Sequence, residues 1–133
     1  MTDKELLKID LCHRLPYIDT IIQWQNEDYQ MISIGFGRVT LVKPFMSITV
    51  GSPLITEVKP YLRPLSSMTE EEKIEYNELL NNCEEQDRVD YNITILDDSM
   101  LFFVIDWLNE HHFDYRGLIP MGLALEAPED MYK

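Results

Sequence analysis

The spacing of apolar residues changes period several times along the chain, and each change marks an element. Residues 3–15 set Leu6, Leu7, Ile9, Leu11 and Leu15 among charges. Thr2 and Asp3 are available as caps, and Glu5 lies three residues beyond Thr2, the spacing of a capping box. This predicts a short amphipathic helix ending before Pro16, with a strand over 8–11 as the alternative. From Tyr17 the period falls to two, as Ile18, Thr20, Ile22 and Trp24 alternate with Tyr17, Asp19, Ile21 and Gln23. Gln25-Asn26-Glu27-Asp28 supplies a turn, residues 29–34 form the next run, Gly35 and Gly37 break it, and residues 39–42 resume it. Beyond Lys43-Pro44, residues 45–50 continue the pattern, Gly51-Ser52-Pro53 turns, and residues 54–58 close it. Five short strands so spaced predict an antiparallel meander of SH3-like or OB-like kind, partly closed against edge exposure. An open sheet packed on helices is the fallback.

The second half reads differently. Prolines hold Lys59-Pro60-Tyr61-Leu62-Arg63-Pro64 extended, which predicts a connector. Thr69 caps a helix with Glu72 three residues on; Tyr76, Leu79, Leu80 and Cys83 share one face, and Glu71, Glu75 and Glu78 the other. Residues 84–90 read as a polar loop and 89–96, with Tyr91, Ile93 and Ile95 alternating, as one more strand. Residues 97–125 hold the densest apolar run. Asp97, Asp98 or Ser99 caps a helix, and Asp106, Asn109 and Glu110 form its narrow watered stripe. His111 and His112 occupy its last turn, and Gly117 with Pro120 stops it. Each buried Leu, Phe or Ile contributes roughly 1.5–3 kcal/mol, so this segment, with its unbroken apolar run over 100–105 followed by Trp107 and Leu108, is predicted to anchor the core.

At 133 residues and 45% hydrophobic the chain suits one compact domain. No apolar run approaches the ~20 residues that span a bilayer, and the charged start does not read as a signal peptide, so a cytoplasmic protein is expected. Cys12 and Cys83 belong to no C-x-x-C pair and read as two buried thiols. The net charge of −13 is placed unevenly. Residues 1–65 carry seven acids and seven bases, whereas 66–133 carry seventeen acids against Lys73, Arg88, Arg116 and Lys133. No basic cluster exists to release counterions from a nucleic-acid backbone, and an anionic membrane would repel the chain. A basic surface on another protein is the partner that such charge favours.

Candidate chemistry is sparse. His111-His112-x-Asp114 invites a metal reading, but neighbouring helical side chains diverge by about 100° and the H-x-x-x-H spacing is absent, so end-capping or packing is preferred. Cys12-His13 lacks an accompanying glycine motif for an oxyanion, and Glu70-Glu71-Glu72 and Asp97-Asp98 lack the alternation of a calcium loop. Gly35, Gly37, Gly117 and Gly122 form no phosphate-cradling pattern. No catalytic residue, metal ligand or cofactor is assigned. Phe113, Tyr115 and Arg116 are residue types that dominate interfaces and are the surface candidates, together with Glu71, Glu75 and Glu78. The competing reading packs Phe113 and Tyr115 on the sheet and pairs Arg116 with Asp114 or Asp106.

Three phrases carry a resemblance: residues 11–17, LCHRLPY; residues 58–72, VKPYLRPLSSMTEEE; and residues 106–119, from Asp106-Trp107-Leu108-Asn109 to Gly117-Leu118-Ile119. They resemble a group of small uncharacterised proteins from gut Bacteroides genomes, prophages and related mobile elements. The resemblance covers roughly a quarter of the chain. It implies a setting, the bacterial cytoplasm or a phage-infected cell, and transfers no catalytic residue.

The expected fold is α+β. An N-terminal helix and a small antiparallel SH3-like, barrel-like sheet cover 1–58, an extended Pro-rich connector covers 59–68, and a helical acidic part covers 69–133, packed on the first as one compact unit through Leu101, Val104, Ile105 and Leu108. The expected function is a non-enzymatic protein-binding or accessory module of phage or mobile-element type whose acidic half engages a basic partner. The alternatives are a small metal-dependent hydrolase using His111, His112 and nearby carboxylates, and a structural or assembly subunit.

Overall fold

The computed structural model of the protein describes residues 2–17, 19–44, 48–89 and 98–132. Helix α1 spans Asp3–Arg14 and begins as its capping box predicts. The Thr2 hydroxyl accepts from the Glu5 amide at 3.2 Å, while the Glu5 carboxylate accepts from the Thr2 amide at 2.9 Å. Leu7 and Leu11 are buried on the face it turns to the sheet.

Strands β1 (Ile21–Trp24), β2 (Glu27–Gly35), β3 (Arg38–Val42) and β4 (Thr49–Gly51) follow as antiparallel neighbours. The two long hairpins close through two-residue turns, Gln25-Asn26 and Phe36-Gly37. All four residues have positive φ, the backbone hand that matches strand twist. Glu27 and Asp28, expected in the first turn, belong to β2. The sheet curls. Strands β1 and β4 have two strands between them and so lie three spacings apart, roughly 14 Å on a flat sheet. Yet the Trp24 indole lies so close to Gly51 that an added Cβ would meet it at 2.9 Å.

Two expectations about the middle of the chain are corrected. The fifth predicted strand, 54–58, is a bridge at Leu54 to Arg38 followed by a 3-10 turn over Ile55–Glu57. The predicted connector contains an interior strand, β5 (Lys59–Leu62), and a second 3-10 turn over Leu65–Ser67. β5 pairs antiparallel to β1 through Lys59 and Pro60 and parallel to β6 (Leu125–Glu126) through Tyr61 and Leu62. Each half of β5 is therefore an edge on one side, which lets Pro60 sit without a missing ladder bond. The result is an open, mixed six-stranded sheet in the order β4-β3-β2-β1-β5-β6.

Helix α2 (Glu70–Val89) starts at Thr69 with the predicted reciprocal bonds to Glu72. It continues through the stretch 84–89 expected to be loop. The strand expected over 89–96 falls, beyond Val89, outside the described residues, as does part of the run 45–50. Helix α3 (Asp98–Glu110) confirms a helix in the apolar run. It ends earlier than Gly117 or Pro120 would demand. His112 takes φ +63°, its amide donates to the Asn109 carbonyl at 3.0 Å, and the Phe113 amide donates to Leu108 at 2.9 Å, a Schellman closure with histidine in the usual glycine place.

The core is not built around α3. The larger buried cluster joins Leu7 and Leu11 of α1 to Ile22, Tyr29, Met31, Val39, Leu41 and Leu62 of the sheet and to Ile55 and Val58 at the 3-10 turn, with Leu118 and Ala124 closing over it. A smaller one joins Val104, Leu108 and Phe113 to Tyr76, Leu79, Leu80 and Trp107. Phe102 and Phe103, predicted as core, are 69% and 59% exposed, Ile105 is half-buried, and Asn109, predicted to face water, is buried. Among the described residues, α3 packs into the smaller cluster through Val104 and Leu108, so a run apolar all round leaves Phe102 and Phe103 largely in solvent. Cys12, expected buried, is exposed on α1. Among the described residues no helix is long and apolar enough to cross a membrane.

Candidate functional site

The three loop candidates are drawn inward. Phe113 is fully buried, stacked on Trp107 with centroids 5.8 Å apart, and carries the Arg63 guanidinium 4.3 Å above its ring. It is thus a packing residue, not a surface contact. Tyr115 and Arg116 are half-buried. The Tyr115 hydroxyl donates to Asn109 at 2.9 Å, and Arg116 donates to Asp10 at 2.7 Å and to the Tyr115 hydroxyl at 2.8 Å, with His13 Nδ1 also against it. The acid paired with Arg116 is Asp10, neither Asp114 nor Asp106.

Asp10 is the centre of a buried lattice that sequence reasoning missed. It accepts from Arg14 Nε at 2.7 Å and Nη2 at 3.1 Å as well as from Arg116, and Arg14 Nη2 also donates to the Phe113 carbonyl at 2.7 Å. Both Asp10 and Arg14 are fully buried. The signal was present. Asp10 and Arg14 stand three and seven residues after Leu7, on the apolar face of α1, where a charge has no business unless paired. A second missed pair, Arg63 with Glu72, is bidentate at 2.8 and 2.7 Å. The Arg63 guanidinium, reinforced by Thr69, holds the Glu72 carboxyl down at about 2. A cleft of about 470 Å³ opens beside this pair between Pro64, Ser67 and Thr69 on one wall and Glu126, Pro128 and Tyr132 on the other.

The residues of the metal reading point to three separate tasks. His111 sets its ring edge on Trp107 at 4.2 Å and reaches toward Glu75 at 3.9 Å. His112 directs Nε2 to Asp19 at 3.1 Å and stacks on Tyr132 at 3.8 Å, and burial pushes it below the usual imidazole range. Asp114 caps the amides of Leu118 and Ile119 at 2.8 and 2.9 Å. Among the described residues no group of three or more His, Cys, Asp or Glu side chains is placed to hold a metal ion.

Along α2 and α3 the exposed charged side chains described are mostly acidic. Glu71, Glu75 and Glu78 are exposed along one side of α2, where Glu75 also accepts from the Trp107 indole at 3.3 Å. On α3 the exposed acids among the described side chains are Asp106, which accepts from the Tyr17 hydroxyl, and Glu110. No protein family, curated protein or solved structure matches the chain.

Proposed function

We propose that the protein is a non-enzymatic protein-binding module whose acidic half engages a basic surface on another protein, in a bacterial or phage-infected cell. The observation that carries this reading is where the positive charge goes. In 66–132 the described basic side chains Lys73 and Arg116 are tied to Glu70 and Asp10, so Glu71 and Glu78 face solvent with no cationic partner among the described residues, and Glu75, beside the Trp107 indole and 3.9 Å from His111, is exposed with them. Charge left over on a rigid helix steers association with an oppositely charged partner. The sheet supports an SH3-like scaffold beneath it: the order β4-β3-β2-β1-β5, the 3-10 turn before β5, and the curl that lays Trp24 on Gly51. The resemblance to prophage and mobile-element proteins supplies the setting.

The test is titration of the full chain against a panel of Lys/Arg-rich peptides at low and moderate salt. Binding weakens with salt, and Glu71→Lys with Glu75→Gln and Glu78→Lys lowers affinity at least about tenfold while the melting temperature holds. Binding indifferent to both sinks the reading. One observation favours the assembly alternative: Phe36 is fully exposed at its hairpin tip, and Ile48 and Val50, beside and within edge strand β4, are exposed as well. A mass by light scattering that rises with concentration, and falls back in Phe36→Ser, would support it.

A further inference from the structure

We propose that the outward face of α3 docks a basic amphipathic helix of another protein. This rests on the binding reading above and names the place and the partner's chemistry. At about 100° per residue, Phe102, Phe103, Asp106 and Glu110 fall within one arc of roughly 100°. All four are exposed, whereas Val104 and Leu108 on the opposite side are buried. Two neighbouring phenylalanine rings left mostly in water forgo most of what their burial would contribute.

Their surroundings define what covers them. Along the helix axis Asp106 and Glu110 follow at one and two turns. On the α2 side the rim is Trp107 with the Glu75 carboxylate at its indole nitrogen. On the α1 side it is the Tyr17 hydroxyl, which donates to Asp106. The face is apolar at one end and lined by three carboxylates. A second copy would set Asp106 and Glu110 against themselves, and an anionic membrane or nucleic acid would meet the same repulsion. A partner with an apolar stripe flanked by Lys or Arg matches both features. From Phe102 to Glu110 the face runs about 12 Å, the length of two to three helical turns, and a rod of that kind packs on another helix through ridges and grooves. The docked helix would lie beside α3 on the side away from Val104 and Leu108, completing the apolar contacts that α2 makes on the other.

The experiment uses the full chain and two fluorescent peptides of about 14 residues and equal Leu/Lys content. One has leucines at helical spacing, and the other has them scrambled so that no stripe forms. The amphipathic peptide binds at least about tenfold more tightly than the scrambled one. Phe102→Ser with Phe103→Ser removes that preference without lowering the melting temperature, and Asp106→Asn with Glu110→Gln weakens binding and flattens its salt dependence. Equal binding of the two peptides, or indifference to the Phe substitutions, overturns this docking face. If the Glu71, Glu75 and Glu78 substitutions still abolish that binding, the charge reading survives without it. Failure of both peptides to bind overturns both. A melting temperature lowered by the Phe substitutions also overturns the docking face, because the rings would then pack against their own chain.

Discussion

Glu72 joins two tasks in one side chain: one carboxylate oxygen accepts from the Thr69 amide and closes the start of α2, and both oxygens grip Arg63 at the end of β5. The first task was legible as a capping-box spacing; the second was not, because no local rule ties residue 63 to residue 72. Its acidity makes the pair testable. The folded-state value of about 2 lies below the ordinary 4.5, so the stabilisation is fully present above pH 4.5 and is lost as pH falls from there toward 2. Glu72→Gln should lower stability at neutral pH by about 1.5–3 kcal/mol and remove that share of the acid sensitivity, as read from urea midpoints at pH 7 and at pH 3. Asp10 and Arg14 tell a related story. Helical spacing put both on the buried face, but the third member, Arg116, comes from a loop about a hundred residues away that periodicity cannot place.

Among elements, those with local grammar were readable. The capping boxes of α1 and α2 and the existence of α3 follow from short spacings and are present as read. The errors arise where tertiary context decides. The prolines of 59–64 suggested an extended connector, whereas the split pairing of β5 makes it a strand inside the sheet. Phe102 and Phe103 argued for burial, and nothing local says which side of α3 receives a neighbour. His112 in a left-handed backbone was unreadable because glycine usually takes that place. The curl of the sheet offers a prediction at this scale. Gly51→Ala drives a methyl group into Trp24, and β4, with so few paired residues, must move aside. The substitution should destabilise by about 1–3 kcal/mol. Most of that loss should vanish in a Trp24→Leu background, which a double-mutant cycle of denaturation midpoints will show.

At the scale of the whole molecule, a net charge of −13 gathered in 66–133 works against compactness through self-repulsion. Raising NaCl from about 20 mM to about 300 mM should therefore raise the urea midpoint, since it screens exposed carboxylates more than it harms the few exposed pairs such as Lys43–Glu27. A midpoint that falls with salt would mean that ion pairs outweigh the repulsion. Periodicity suggested a sheet half and a helical half, but two strands of the sheet, β5 and β6, come from beyond residue 58 and interlock the two. β1 takes its second partner from β5, Arg14 donates to the Phe113 carbonyl, and the Ile21 amide donates at 3.0 Å to the Tyr132 hydroxyl, which in turn donates to the Tyr61 carbonyl at 2.7 Å. The halves are laced rather than stacked. A single cut between Pro64 and Leu65 would thus release no free piece: the severed strands would stay bound through Ile21, Tyr61 and Tyr132, and the two fragments made separately would reassemble as a complementing pair.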